Sequence, residues 1–192
     1  MVEPFADLRR REGSGNRMRR VWLGLGGNQG DRAAHLSRAL AALEERGFSP
    51  EAASPIYETA PWGEAGQPAF LNQVVRGRWP GEPERLLGAA KEIEAELGRT
   101  AGRRWGPRPI DIDILLAGAA GESLIHRPGL TIPHPRLAER GFVLVPLNDL
   151  DPGLRVPGTG ASVAELLRRL APPPEAVRRY GHGDAKRETG DE

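Results

Sequence analysis

Two aspartates one residue apart, Asp111 and Asp113, interrupt an otherwise apolar run from Ile110 to Leu116. Alternate residues of a strand project to the same face, so both carboxylates point one way while Ile110, Ile112 and Ile114 point to the core. The strand rise puts their Cβ atoms roughly 6.5 to 7 Å apart, a spacing that suits carboxylates gripping one or two divalent ions. Two anions on one face repel and desolvate poorly, and burying them without a cation costs on the order of several kcal/mol. On spacing alone, an exposed sheet face carrying two solvated acids fits as well.

The context favours a ligand. Arg99, Arg103, Arg104 and Arg108 fall in a Gly- and Pro-broken loop, Arg99 to Pro109, that runs into the acidic strand. Each alone is most simply a solvated loop charge. Together, guanidinium groups that bind phosphate bidentately beside a divalent-ion pair describe a nucleotide triphosphate site. Trp105 lies in the same loop, able to stack on a flat ring or to pack as an apolar anchor. His134, between Pro133 and Pro135, is either a phosphate donor or a turn residue. The Gly26-Gly27-Asn28 turn lacks the lysine and spacing of a P-loop and the full dinucleotide fingerprint, and reads as a place where another backbone or a ligand comes close.

The elements that must hold these groups follow from periodicity. Val21, Leu23 and Leu25 alternate as a strand, and Leu36, Leu40 and Leu43 recur at helical spacing, with Asp31 as cap and Gly47 as stop. A second strand is expected over Ala52 to Tyr57 and a long loop over Thr59 to Pro68. A third strand follows over Asn72 to Trp79, and a second helix opens at Pro83 and runs to Gly98. After the acidic strand come an irregular hairpin region from Gly118 to Pro133, a short helix Pro135 to Arg140 and an apolar stretch Phe142 to Leu147. The last helix lies near Val163 to Leu170. The order predicts an α+β fold: a ferredoxin-like sandwich with a split β-α-β-β-α-β core, an antiparallel sheet and additional C-terminal helices. Residues 1–20 read as a disordered extension, 21–171 as one domain and 172–192 as a flexible tail.

Composition narrows the class. The 192 residues suffice for one domain, with 39% hydrophobic and 28% charged residues as in soluble globular chains. No apolar run reaches membrane-spanning length, and the arginine-rich start lacks a signal-like stretch, so a cytoplasmic location is expected. The absence of cysteine leaves oxygen and imidazole ligands for any metal, which favours magnesium. A net charge of +1 gives no general capacity for nucleic acid.

Several motifs stand in order along roughly Val21 to Leu170. They are Leu25-Gly26-Gly27-Asn28 with Gly30-Asp31-Arg32, Tyr57-Glu58-Thr59, Phe70-Leu71-Asn72, Arg104-Trp105-Gly106-Pro107-Arg108 before Asp111-Ile112-Asp113, and Pro133-His134-Pro135 before Arg140-Gly141-Phe142. This set resembles the 6-hydroxymethyl-7,8-dihydropterin pyrophosphokinases of folate synthesis. The resemblance implies transfer of pyrophosphate from ATP, as co-substrate, to the pterin hydroxymethyl oxygen, with AMP leaving. It implies two Mg2+ ions on Asp111 and Asp113, with Arg99 and Arg108 assisting the transfer. By the same likeness Thr59, Ala60, Trp62, Phe70, Asn72, Trp105 and Phe142 hold the pterin, and Lys91, Glu94, Arg99, Arg108, Ile114, His134 and Arg140 hold ATP. It further implies a monomer acting on small molecules, without nucleic acid or membrane.

Three positions depart from the family pattern. Gly27 stands where Ser is usual and Ala60 where Pro is usual, and the stretch from Gly98 to Trp105 is one residue short, so whether Arg103 replaces a loop arginine is open. Two rivals are weaker. A ferredoxin-like nucleic-acid-binding or regulatory module would display aromatics on its sheet, yet only 5% of residues are aromatic and paired acids repel phosphate. An Asp-x-Asp sugar-nucleotide transferase would want a doubly wound pattern that this chain lacks.

Overall fold

The structure, a computed structural model, describes residues 18–61, 66–100, 106–170 and 176–181. The first half reads β1 (Met18–Gly27), α1 (Arg32–Glu45), β2 (Ser49–Ala53), β3 (Tyr57–Thr59), β4 (Phe70–Pro80), α2 (Pro83–Glu96) and β5 (Asp111–Ala117). The second half reads β6 (Ile125–Arg127), β7 (Leu130–Ile132), a 3-10 turn at Leu137–Glu139, α3 (Gly141–Leu150), β8 (Arg155–Val156), β9 (Ala161–Ser162), α4 (Val163–Leu170) and β10 (Val177–Arg179).

Every pairing in the main sheet is antiparallel, in the order β10-β3-β4-β1-β5, with β2 also on β4. Reading β5-β1-β4 and then β2 with β3 gives the ferredoxin-like arrangement expected from the element order. The two crossover helices start and stop where their residues dictate. Asp31 Oδ1 accepts the Ala34 N–H at 3.0 Å to cap α1, and Gly47 beyond its end takes φ 97°.

The strand expected over Ala52 to Tyr57 is two strands. Ser54, between them, accepts the Val74 N–H on its Oγ at 3.0 Å, while Pro55 brings no N–H for a ladder. The apolar stretch Phe142 to Leu147 is the body of α3, which carries Pro146 inside it. Two boundaries also differ. β1 begins at Met18, inside the 1–20 extension, and Val177–Arg179 within the 172–192 tail pairs with β3. Residues 1–17 and 182–192 lie outside the described residues, as do 171–175.

Strand alternation sorts the core into two layers. Val21, Leu23, Leu25, Ile112 and Ile114 face α1 and α2, where Leu36, Leu43, Leu86 and Ile93 close over them. Trp22, Val74, Leu115 and Leu116 face the other way, against Val143, Leu144 and Leu147 of α3 and Val163 and Leu166 of α4. This second layer stops short of the C-terminal end of β1, and the uncovered part of the sheet is a cleft. Among the described residues, no helix is long and apolar enough to cross a membrane.

Candidate active site

Register builds the cleft floor. Gly26 of β1 lies between Asn72 of β4 and Asp111 of β5, and Gly24 lies between Val74 and Asp113. Cross-strand partners share a face, so the two aspartates, Asn72 and both glycines front the same space. A Cβ at Gly26 would stand 2.6 Å from Asn72 Oδ1. Glycine here keeps the floor flat where a planar ligand would lie. Thr59, Ala60, Phe70, Asn72, Arg108, Asp111, Asp113, Arg140 and Phe142, all expected at the site from the sequence, line this one cleft together.

The two carboxylates differ in their surroundings. Asp111 Oδ1 accepts from Arg99 Nη1, and Asp111 Oδ2 accepts from Arg108 Nη1 at 2.9 Å. Arg99 Nη1 also lies 2.5 Å from Glu94 Oε2, and Glu94, only 2% exposed, accepts from Lys91 Nζ at 2.9 Å and from the Ile112 N–H at 2.8 Å. Glu94 thus clamps α2 to the acidic strand and holds Arg99 for Asp111. Burial opposes ionisation of Asp111, but the Arg108 and Arg99 charges outweigh it and hold the carboxyl below its ordinary value. Among the described residues, Asp113 has longer contacts, with Arg140 Nη1 at 3.6 Å and His134 Nε2 at 3.9 Å. Burial first, and then the Asp111 charge, push Asp113 above its ordinary value.

His134 is placed by a bulge. The β1–β5 register slips between Trp22 and Leu23, and the Leu115 carbonyl left there accepts the His134 N–H at 2.9 Å. The Arg136 N–H donates to His134 Nδ1 at 3.2 Å, which leaves the ring proton on Nε2, facing Asp113. Burial, with the Arg140 charge, pulls its pKa down to about 4, so the ring is a neutral donor. Arg140, 8% exposed, lies over the Phe142 ring at 5.3 Å from the centroid.

The donor set fits hard cations. Among the described residues, no group of three or more acidic or imidazole side chains could hold a metal by itself. Two adjacent carboxylates on an open face can supply only part of a shell, leaving the rest to water and phosphate oxygens, which is how magnesium is usually held at nucleotide sites.

Gln67, Pro68 and Arg108 meet at the end of β1. Asn28, 2% exposed, donates through Nδ2 to Gln67 Oε1 and the Pro68 carbonyl, both at 3.2 Å, and accepts the Arg108 N–H on Oδ1 at 2.8 Å. A Cβ on Gly27 would be 2.0 Å from the Pro109 carbonyl oxygen, so glycine at this position is what lets the Pro109 backbone come so close to β1. This is the backbone approach that the turn suggested.

The sequence left several contributions unassigned. Gly24 and Gly26 as floor, Asn28 as junction and Glu94 as clamp all depend on partners distant in the chain, though glycines alternating along a strand are a signal for a bare sheet face. Ile114, expected with the nucleotide, is 4% exposed in the layer facing α1 and α2, because it alternates with Asp113. Its side chain is therefore not in the cleft. Trp62, Arg103 and Trp105 lie outside the described residues.

Comparison with known proteins bears on the family and the fold. Residues 22–152 match the family model described as 7,8-dihydro-6-hydroxymethylpterin-pyrophosphokinase. A 2-amino-4-hydroxy-6-hydroxymethyldihydropteridine pyrophosphokinase of Methylorubrum extorquens is 44% identical over 156 residues, 81% of this chain and 96% of that protein. One of Pseudomonas aeruginosa is 42% identical over 166 residues, 84% of this chain and 97% of that protein. The mitochondrial folate synthesis bifunctional protein of Pisum sativum is 44% identical over 130 residues, 68% of this chain but 25% of its own length. In fold, the chain resembles wild-type Plasmodium falciparum HPPK-DHPS solved with SDX-DHP, with TM-score 0.62 and 15% identity, covering 80% of this chain and 44% of that one. The chain thus spans less than half of the two-enzyme proteins and nearly all of the single-enzyme ones. With the model matching from the first strand past α3, this chain belongs to the 7,8-dihydro-6-hydroxymethylpterin-pyrophosphokinase family.

Proposed function

We propose that this chain transfers the pyrophosphoryl group of ATP to the hydroxymethyl oxygen of 6-hydroxymethyl-7,8-dihydropterin, releasing AMP, as a step of folate synthesis. The observation that carries the reading is the shared floor: Asp111 and Asp113 stand across two glycines from Asn72, in one cleft walled by Phe142 and capped by Arg108 and Arg140.

The pterin edge hydrogen-bonds the Asn72 amide, whose Nδ2 already donates to Thr59 Oγ1 at 2.8 Å, fixing which way the amide faces. Phe70 and Phe142 offer apolar surface to the ring, with Thr59 and Ala60 at its side. Asp111 and Asp113 hold two magnesium ions, which supply neutralisation of the triphosphate and of the charge that develops as AMP leaves. Arg108, Arg140 and Arg99 bind phosphate oxygens, and neutral His134 donates from Nε2. Lys91 and Glu94 stand behind Arg99 on the nucleotide side. No protein nucleophile is required, because positioning and charge stabilisation supply most of what phosphoryl transfer needs. Gln67, Pro68 and Arg108, joined at Asn28, help to exclude water.

Action as a monomer belongs to the same proposal. A cytoplasmic site of action is likewise part of this proposal.

Product analysis tests the reading. AMP should form only when ATP, magnesium and the hydroxymethylpterin are all present. ADP as the first nucleotide product, or AMP formed without the pterin, would overturn it.

A further inference from the structure

The pterin side of the cleft has two walls that come from separate layers. One is β3, which carries Thr59. The other is α3, headed by Arg140 and Phe142. They are joined at a part-buried point away from the carboxylates, with Tyr57 buried and Asp149 at the surface. Tyr57, 6% exposed, lies opposite Asn72 in the β3–β4 register, and its hydroxyl donates to Asp149 Oδ2 in the last turn of α3. Burial above all, with the Asp149 charge adding to it, holds this phenol above its ordinary value, so it remains a donor.

β10 braces the same point from the outer edge. Arg179 lies opposite Tyr57 and Val177 opposite Thr59, so both project to the cleft face of the sheet. The Arg179 guanidinium is 3.5 Å from both Tyr57 Oη and Asp149 Oδ2. Thr59, held between β4 and β10, in turn accepts the Asn72 amide. A chain of direct contacts therefore runs from α3 through Tyr57 to the strand that orients Asn72. The nucleotide side is held differently, through Asp111, Arg99 and Glu94 on β5 and α2.

We propose that Tyr57 and Asp149, braced by Arg179 of the C-terminal strand, form a clasp that fixes the gap between β3 and α3 and so sets how tightly the pterin subsite closes on a flat heterocycle. Tyr57 is a positioning residue: its hydroxyl is spent on Asp149 and acts on the substrate through Thr59, Asn72 and Phe142. This assignment rests on the functional reading above. It extends the pterin subsite to residues that touch no ligand and gives β10 a part in it.

Tyr57→Phe keeps the ring and removes only the donor. The pterin KM of that variant should rise roughly tenfold, equivalent to about 1.4 kcal/mol, while the KM for ATP stays within roughly twofold. Asp149→Ala should reproduce this split, and the double variant should be no worse than either single one. Asp149→Asn should recover most of the loss, since its amide oxygen still accepts from the phenol. Arg179→Ala should give a smaller rise of about twofold, as expected for an exposed and longer contact. An unchanged pterin KM in Tyr57→Phe, or equal rises for both substrates alongside a lower Tm, would overturn the clasp while leaving the reaction intact. A wild-type protein that forms no pterin-dependent AMP would instead defeat the functional reading, and the clasp's role with it.

Discussion

Toward α1 and α2, β5 and the residue before it present Ile110, Ile112 and Ile114, all buried; between them, on the other face, stand Asp111 and Asp113 before Leu115 closes the row. β1 divides the same way. Its Val21, Leu23 and Leu25 enter the helix-covered layer, whereas Gly24 and Gly26 lie on the cleft floor. The helix-covered face gains from every residue it buries. The cleft face gives up packing for a bare floor and sets two like charges on one strand, which favours ligand binding over stability. One period of two therefore writes both the fold and the site, and substitutions at adjacent residues should separate them.

The largest separation is expected at the aspartates. Asp111→Asn and Asp113→Asn should each lower AMP formation by roughly a thousandfold or more, since each removes a charge that holds the nucleotide's cations. Their stabilities should part company when magnesium is chelated at neutral pH. Asp113 has its carboxyl raised in the folded protein, so its ionised form disfavours folding above the ordinary carboxylate range, and neutralising it should raise Tm. Asp111 has its carboxyl lowered by Arg108 and Arg99, so its charge favours folding there, and neutralising it should lower Tm. Thermal melts in chelator check both signs. Shifts in the same direction would show that the two acids are not distinguished by their arginine partners.

One residue away, the effect should invert. Ile112 is 1% exposed in the helix-covered layer, and Ile112→Ala should cost about 2 to 5 kcal/mol of stability. Measured well below its lowered Tm, the turnover of the folded fraction should stay within about threefold of the wild type, because the Cβ that remains preserves strand geometry. Denaturant unfolding and product assays on the same sample check it. A collapse of turnover in fully folded protein would break the division between the faces.

How far the sequence reveals this division depends on how local each signal is. The alternation over Ile110 to Leu116, the two amphipathic helices and their glycine stops are carried by neighbours in the chain, and the structure places them within a residue or two of expectation. The split of β2 from β3 depends on Ser54 meeting Val74 across the sheet. β10 is three residues with two arginines, and nothing marks it as a strand until β3 lies beside it. α3 hid because Phe142 to Leu147 is apolar without interruption and contains Pro146, so it carried no helical period. In the site, the ordered motifs placed Asp111, Asn72, Arg140 and their neighbours in one cleft. The placement of Ile114 came from likeness, although its own alternation with Asp113 already put its side chain on the far face. Asn28 and Glu94 could be named as motif or nucleotide-side residues, but their work as junction and clamp is visible only through partners up to 80 residues away.

The smallest expected effect concerns the glycine floor. Gly26 needs no unusual backbone, so Gly26→Ala should leave Tm within a few degrees; its requirement is space, since the added methyl would approach Asn72 Oδ1 to 2.6 Å. The nearest atom belongs to a side chain whose Nδ2 is tied to Thr59, so relief means turning the amide away from the position in which it meets the pterin. The pterin KM should therefore rise by roughly five- to tenfold, the scale of one misplaced hydrogen bond, with the KM for ATP little changed although Asp111 is the other cross-strand neighbour. Isothermal titration with each ligand separately resolves the two. A larger loss for ATP than for pterin would mean that the floor serves the triphosphate first, and that the cleft face is divided along β1 rather than across it.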